Sequence, residues 1–184
     1  MKETNKERIY TATLKLIQTY GAKGWTMDMV CQEANLAKDT LYRTIDSKHQ
    51  LVNDVIKTLL EKHAKNISDL TQLDKDFFEI FTLLCQKLGE FLNMLGTPQI
   101  KSLFKEYPNI EKNIRHYTDQ FDQSIASYLN KGISLGKIKA DTDVLLVSQS
   151  ARYTIVALLS DSSTKADSET ITKYLHYLIY GIAC

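Results

Sequence analysis

The spacing of apolar residues constrains this sequence more than any other feature. Apolar residues recur every three or four positions along most of the chain, the interval at which residues share one face of an α-helix. Only 7 glycines and 2 prolines interrupt the 184 residues. No segment alternates between apolar and polar residues over enough positions to indicate a β-strand. The sequence therefore predicts an all-α fold of about nine helices.

The first fifty residues are predicted to form three helices. The first carries Ile9 and Leu16 on its apolar face and ends at Gly21, a residue suited to the end of a helix. Thr26 can cap a second, short helix over residues 27–34. After a turn at Asn35, a third helix is predicted over residues 38–44. Two short helices joined by such a turn are typical of a helix-turn-helix unit, whose second helix enters the major groove of DNA.

The rest of the chain predicts longer helices. One begins after Ser47, and residues 76–95 are apolar on all sides, which is typical of a helix in the middle of a bundle. A third stripe runs from Ile110 towards residue 134, and two more helices close the chain. Asp141 or Thr142 is expected to cap the first of these two.

The segment from Ile9 to Leu51 resembles the TetR family of bacterial transcriptional repressors. Members of that family read roughly T-V-x-x-I-A-x-x-A-G-V-S-x-G-T-L-Y-x-Y-F-x-S-K-x-x-L over residues 26–51, and the sequence aligns with this pattern without a gap. The resemblance implies a DNA-binding domain over residues 1–50 and a helical ligand-binding and dimerisation domain over residues 51–184. The matching residues are Ile9, Ala12, Leu16, Gly21, Thr26, Ala34, Thr40, Leu41, Tyr42, Ser47, Lys48 and Leu51.

The same resemblance implies the residues that contact DNA. It places Thr26, Tyr42 and Lys48 at phosphates, where hydroxyl donors and an ammonium fix the position of the protein on the duplex. Arg43 is able to read a guanine or to contact a phosphate, and the sequence leaves both open. The residues on or beside the recognition helix are Lys38, Asp39, Thr40, Arg43 and Thr44.

Several positions depart from the family pattern. Asn35 replaces the turn glycine, and it tolerates the left-handed conformation better than other non-glycine residues. Ala37 replaces the serine that caps the recognition helix, a loss of about 1 kcal/mol in typical helices. Asp39 puts a carboxylate near phosphates, and Thr44 and Ile45 replace an aromatic pair. These changes bear on DNA affinity and base preference more than on the fold.

Two further sets of residues are predicted to serve the second domain. The first set could enclose a small, mostly apolar effector or could simply fill a core; it comprises Phe81, Leu84, Cys85, Leu88, Tyr117, Phe121 and Tyr128. The second set lies on the two closing helices and is predicted to form a four-helix interface between two copies of the chain; it comprises Ser148, Ala151, Ile155, Leu158, Tyr174, Leu175, Leu178 and Ile182.

Composition and residue spacing narrow the classes of function that remain for this protein. The formal net charge is +1, and residues 1–50 carry 8 basic against 6 acidic residues, so an attraction to DNA has to be local. Apolar runs such as residues 155–159 are far too short to span a bilayer, and a cytoplasmic protein without a membrane partner is expected. The 3 cysteines and 4 histidines lack the spacing of a metal site. No motif for catalysis or for a cofactor is visible, so no enzyme and no cofactor are expected.

The sequence is accordingly interpreted as a repressor that binds a pseudo-palindromic operator as a homodimer and is released by a small effector. A second hypothesis is a helical small-molecule sensor that acts through a protein partner, with a recognition helix impaired at Ala37, Asp39 and Thr44. A third is a helical-bundle enzyme with an unrecognised pocket. DNA binding that weakens with salt separates the first hypothesis from the other two.

Overall fold

A computed structural model describes residues 4–95, 102–103, 105–160 and 168–184 of this chain. Within these residues it contains helices only as its regular elements, so the predicted all-α fold is confirmed. Their bounds are α1 Asn5–Tyr20, α2 Met27–Ala34, α3 Lys38–Thr44, α4 Lys48–Thr71, α5 Phe77–Leu95, α6 Pro108–Ser134, α7 Val144–Ser160 and α8 Ser168–Ile182.

The chain divides into two compact units, the first made of Met1–Glu61 and Leu95–Arg115. Its core consists of apolar residues from α1, α2 and α3, from the segments that connect them and lead into α4, and from the beginning of α4, together with residues that follow residue 101. Their side chains are almost fully removed from solvent, which is the main source of stability for a small helical unit. The central residues of this core are Ile9, Ile17, Trp25, Val30, Leu41, Ile45, Leu51, Leu103 and Ile110.

Local backbone chemistry sets the ends of the first three helices as the sequence predicts. Gly21 ends α1 with a φ of 72°, a conformation that costs glycine little. Thr26 caps α2, and its hydroxyl accepts a hydrogen bond from the Met29 N–H at 3.3 Å. Asn35 takes the left-handed conformation with φ 50° and ψ 55°. Ala37 precedes α3 without a side-chain cap, which leaves the first turn of α3 less stabilised.

The second unit comprises Lys62–Met94 and His116–Cys184. Its described residues form two apolar clusters, and Phe81 packs against both. The first contains Ile67, Phe77, Ile80, Leu84, Tyr128, Leu129, Ile138 and Ile179. The second contains Cys85, Ile155, Ile171 and Leu175.

The predicted cap of α7 was wrong. Neither Asp141 nor Thr142 lies directly before the helix; Asp143 does, and its carboxylate accepts a hydrogen bond from the Leu146 N–H at 3.0 Å. Any of three polar residues in succession could cap a helix, and the side chain directly before the first helical residue is the one that reaches the free N–H groups of the helix.

Among the described residues, no helix is both long and apolar enough to cross a bilayer.

Candidate functional site

The turn between α2 and α3 is held from a third helix. The Arg8 guanidinium on α1 donates to the carbonyl oxygen of Ala34 and, at 2.9 Å, to that of Asn35. These carbonyls lie at the end of α2, where the helix offers them no N–H partner. Arg8 therefore fixes the turn that sets the direction of α3. Nothing in the sequence pattern marked this residue, since its partners lie more than twenty-five positions away.

The α3 helix has a buried side and a polar side. Leu41 is 0% exposed and anchors the helix in the core of the first unit, whereas Tyr42 is 53% exposed. Asp39, Arg43 and Thr44 are also exposed, and Thr40 is half-buried. The Arg43 guanidinium folds back along the helix, where its Nε donates to the Asp39 carbonyl oxygen at 3.2 Å. The polar side thus offers a phenol, a guanidinium, a carboxylate and a hydroxyl to solvent.

Thr26 and Lys48 come together at the beginning of α2. The Lys48 ammonium donates to the carbonyl oxygen of Trp25 at 2.5 Å and lies 4.0 Å from the centre of its ring. Partial burial lowers the pKa of Lys48. Thr26, the next residue after Trp25, is exposed. The structure therefore brings two of the three predicted phosphate contacts to one place, the junction of α2 and α4.

Lys38, at the beginning of α3, forms an ion pair with Asp28, a residue that the sequence pattern does not single out. Its ammonium donates to the Asp28 carboxylate on α2 at 2.7 Å. The hydrogen bond with Asp28, and then its charge, raise the pKa of Lys38. All eight predicted DNA contacts accordingly lie at the cap of α2, on α3 or at the start of α4, but their charges are not equally available.

Two short helices joined by a left-handed turn, the second held by one buried face with its polar face in solvent, form a helix-turn-helix unit. Residues 9–55 match the family model described as bacterial regulatory proteins, tetR family. An HTH-type transcriptional regulator of Bacillus subtilis (strain 168), YhgD, whose function is uncharacterised, is 26% identical over 100% of this chain and 99% of its own length.

Solved structures share the fold along nearly the whole chain. A TetR transcription regulator from Haloarcula marismortui has a TM-score of 0.80 at 18% identity, covering 98% of each chain. FadR from Bacillus subtilis, solved in complex with stearoyl-CoA, has a TM-score of 0.72 at 19% identity, covering 95% of this chain and 98% of its own. Residues 9–55 thus match the TetR family model, and nearly the whole chain shares the fold of solved TetR-family regulators.

The predicted effector residues all lie in the second unit but in different surroundings. Leu84 and Tyr128 belong to the first apolar cluster, and the Tyr128 hydroxyl donates to the Phe77 carbonyl oxygen. Cys85 is buried in the second cluster, and Leu88 packs against it. A shallow depression at the surface of this unit is lined by other residues, namely Asn66, Asp69, Leu70, Leu73 and Lys87.

Tyr117 and Phe121 gather around His63, a residue that the sequence pattern does not single out. His63 is 7% exposed, its Nδ1 lies 2.6 Å from the Tyr117 hydroxyl oxygen, and its ring stacks on Phe91 with centres 3.8 Å apart. Burial lowers the pKa of His63, so the neutral ring is favoured. Burial also raises the pKa of Tyr117, which keeps its hydroxyl protonated. His63 and Tyr117 thus form a neutral, hydrogen-bonded polar pair surrounded by the aromatic rings of Phe91 and Phe121.

The predicted dimer residues mostly face the core of their own unit. Ser148 is buried, and its hydroxyl donates to Asp122 at 3.2 Å; the same carboxylate pairs with Arg152 at 2.9 Å. Ile155 and Leu175 are core residues, Ala151 and Tyr174 pack against them, and Ile182 packs on the first cluster. Leu178 is half-buried, and the side chain of Leu158 lies outside the described part.

Other residues of α7 and α8 are exposed, and the predicted stripes do not include them. Tyr153 is 63% exposed, Tyr177 73% and Tyr180 70%. Leu146 is also exposed on α7. Both helices thus carry apolar surface on the side away from the core of the unit, which is the side available to a partner.

Proposed function

We propose that this regulator is a cytoplasmic repressor that binds a pseudo-palindromic operator as a homodimer and is released by a small, mostly apolar effector. In this proposal residues 1–50 bind DNA, and residues 51–184 bind the effector and form the dimer. The observation that carries it is the polar side of α3: Tyr42 and Arg43 are in solvent while Leu41 is buried. A helix held in this way can enter a groove without unfolding.

The proposed contacts follow from the chemistry of each side chain. Thr26 and Tyr42 offer neutral donors to phosphate oxygens, and Lys48 offers a charge at the same end of α2. Arg43 lies on the exposed side of α3, where a guanidinium can pair with the O6 and N7 atoms of guanine. Asp39, also exposed, suits the N4 amino group of cytosine. The phosphate contacts fix the position of the protein on DNA, and the contacts of Arg43 and Asp39 with bases select the sequence.

Dimerisation is proposed through α7 and α8. The exposed side chains Leu146, Tyr153, Tyr177 and Tyr180 support this choice, since aromatic residues are enriched in the centres of interfaces. Among the residues predicted from the sequence, Tyr174 and Leu178 are half-buried and can border the same contact. The two recognition helices must then lie about 34 to 36 Å apart to reach successive major grooves.

An apolar effector is supported by the aromatic surroundings of the His63–Tyr117 pair. Rings of Phe91 and Phe121 supply apolar contact, and the pair supplies polar atoms that can orient a ligand. Because the Bacillus subtilis FadR structure contains stearoyl-CoA, long-chain acyl-CoA thioesters belong among the compounds to be tested. An effector releases DNA only if it binds better to a form with wrongly spaced recognition helices, with a typical coupling of about 1 to 3 kcal/mol.

One experiment tests DNA binding, specificity and release together. Bound sequences are selected from random duplex DNA by the purified protein, with and without apolar metabolites and acyl-CoA thioesters. We expect enrichment of one inverted repeat, and loss of that enrichment with an effector. Failure to enrich any sequence, even at low salt, would contradict the proposed function and favour action through a protein partner.

A further inference from the structure

We infer that Asp28 limits the affinity of this protein for DNA by holding the ammonium of Lys38 away from the phosphate backbone. This inference rests on the proposed DNA binding and assigns a role to a residue outside the predicted contacts. Lys38 is the first residue of α3 and Asp28 the second residue of α2, so the pair joins the first turns of the two helices of the motif.

The geometry of the pair carries the inference. Lys38 Nζ lies 2.7 Å from Asp28 Oδ2, a charge-assisted hydrogen bond, and both side chains are more than half exposed. An exposed pair contributes little to folding stability. The pair has a larger effect on the affinity for a polyanion such as DNA, because the Lys38 ammonium must leave the Asp28 carboxylate before it can neutralise a phosphate. The carboxylate then stays unpaired beside the DNA and repels it.

The position of Asp28 adds a second effect of the same sign. Asp28 lies in the first turn of α2, close behind the cap Thr26, where free N–H groups and the helix dipole attract anions. A carboxylate there is favourable for the helix but competes with a phosphate for the same site. Removing its charge should therefore strengthen DNA binding, whereas removal of a merely structural contact would weaken it.

The test compares charge-neutralised variants on a mixed-sequence duplex. Asp28→Asn should bind more tightly at about 0.1 M salt, by roughly five- to tenfold per subunit, with a salt dependence steeper by about 0.9 units for one added phosphate contact. Asp28→Glu, which keeps the charge, should behave as the wild type. Glu33→Gln is the matched control, since Glu33 lies on the same helix but pairs with Lys15 on α1.

A double variant separates the local pair from the overall change in charge. In a Lys38→Gln background, Asp28→Asn should lose the added salt dependence, because no ammonium is left to release. Equal gains for Asp28→Asn and Glu33→Gln, a loss of affinity in Asp28→Asn, or a gain confined to one sequence would each overturn the inference while leaving DNA binding intact. If no variant and no wild type binds any duplex, the proposed function fails and the inference falls with it.

Discussion

The Lys48 ammonium lies 4.0 Å from the centre of the Trp25 ring and donates a hydrogen bond to the carbonyl oxygen of the same residue. Trp25 is buried and directly precedes Thr26, the cap of α2. The start of α4 is thereby tied to the start of α2. A cation placed there is held near the phosphate contacts proposed for Thr26 before any DNA arrives.

Lys48→Ala should weaken binding to every DNA sequence, because it removes a charge from the proposed phosphate contacts. The salt dependence should flatten by about 0.9 units for each phosphate that Lys48 no longer neutralises. Anisotropy titrations of a labelled duplex at several salt concentrations measure both quantities. Lys57→Ala serves as the control, since Lys57 is an exposed lysine on the same helix that lies 3.8 Å from Glu61. Unchanged affinity and slope in Lys48→Ala would remove Lys48 from the DNA interface.

Arg43→Ala should relax the preference at one base position in each half-site, at a cost of about 1 to 3 kcal/mol. The reason is that a guanidinium on the exposed side of α3 can form two hydrogen bonds with guanine. Selection of bound sequences before and after the substitution provides the measurement. A uniform loss across all sequences would reassign Arg43 to a phosphate.

Tyr177→Asp should give monomers that no longer bind the operator but keep their helical content. Tyr177 is 73% exposed, so a carboxylate there leaves the core of the unit undisturbed while placing a charge in the proposed interface. Sedimentation velocity and circular dichroism report the two properties. Leu135→Asp is the control, because Leu135 is an exposed apolar residue outside α7 and α8. A dimeric Tyr177→Asp protein would exclude this face.

The stability of the second unit should fall as pH decreases below about 6.5, the ordinary pKa of histidine. Burial lowers the pKa of His63 in the folded protein, so the unfolded chain takes up this proton first. The free energy of unfolding therefore decreases with pH from about 6.5 down to the folded pKa of His63. Melting temperatures are measured at pH 7.5 and pH 5.5, about one unit on either side of the ordinary pKa of histidine. The difference between the two temperatures should be smaller in His63→Gln than in the wild type.

His116→Gln provides the comparison for this pH effect, since His116 is exposed on α6. It should retain the pH dependence of the wild type. If His63→Gln and His116→Gln melt with the same pH dependence as the wild type, protonation of His63 does not govern the stability of the unit.

The sequence by itself determined the helical fold, the end of α1 and both ends of α2. Gly21, Thr26 and Asn35 act through their own backbone preferences or through hydrogen bonds within one helical turn, and such local terms are readable in a single chain. The match over residues 9–55 has the same origin, because a motif of three helices and two turns is a local pattern.

Only the tertiary structure decided which face of each helix is covered and by what. Periodicity marks an apolar stripe but does not name its partner. Ser148, which the stripe assigns to an interface between two copies, donates to Asp122, 26 positions away in the same chain. The exposed Tyr153, Tyr177 and Tyr180 lay outside the predicted stripes for the same reason. Arg8 at the turn and Asp28 beside Lys38 depend on helices brought together by folding. A charge acquires its partner from three-dimensional packing, which the order of residues does not display.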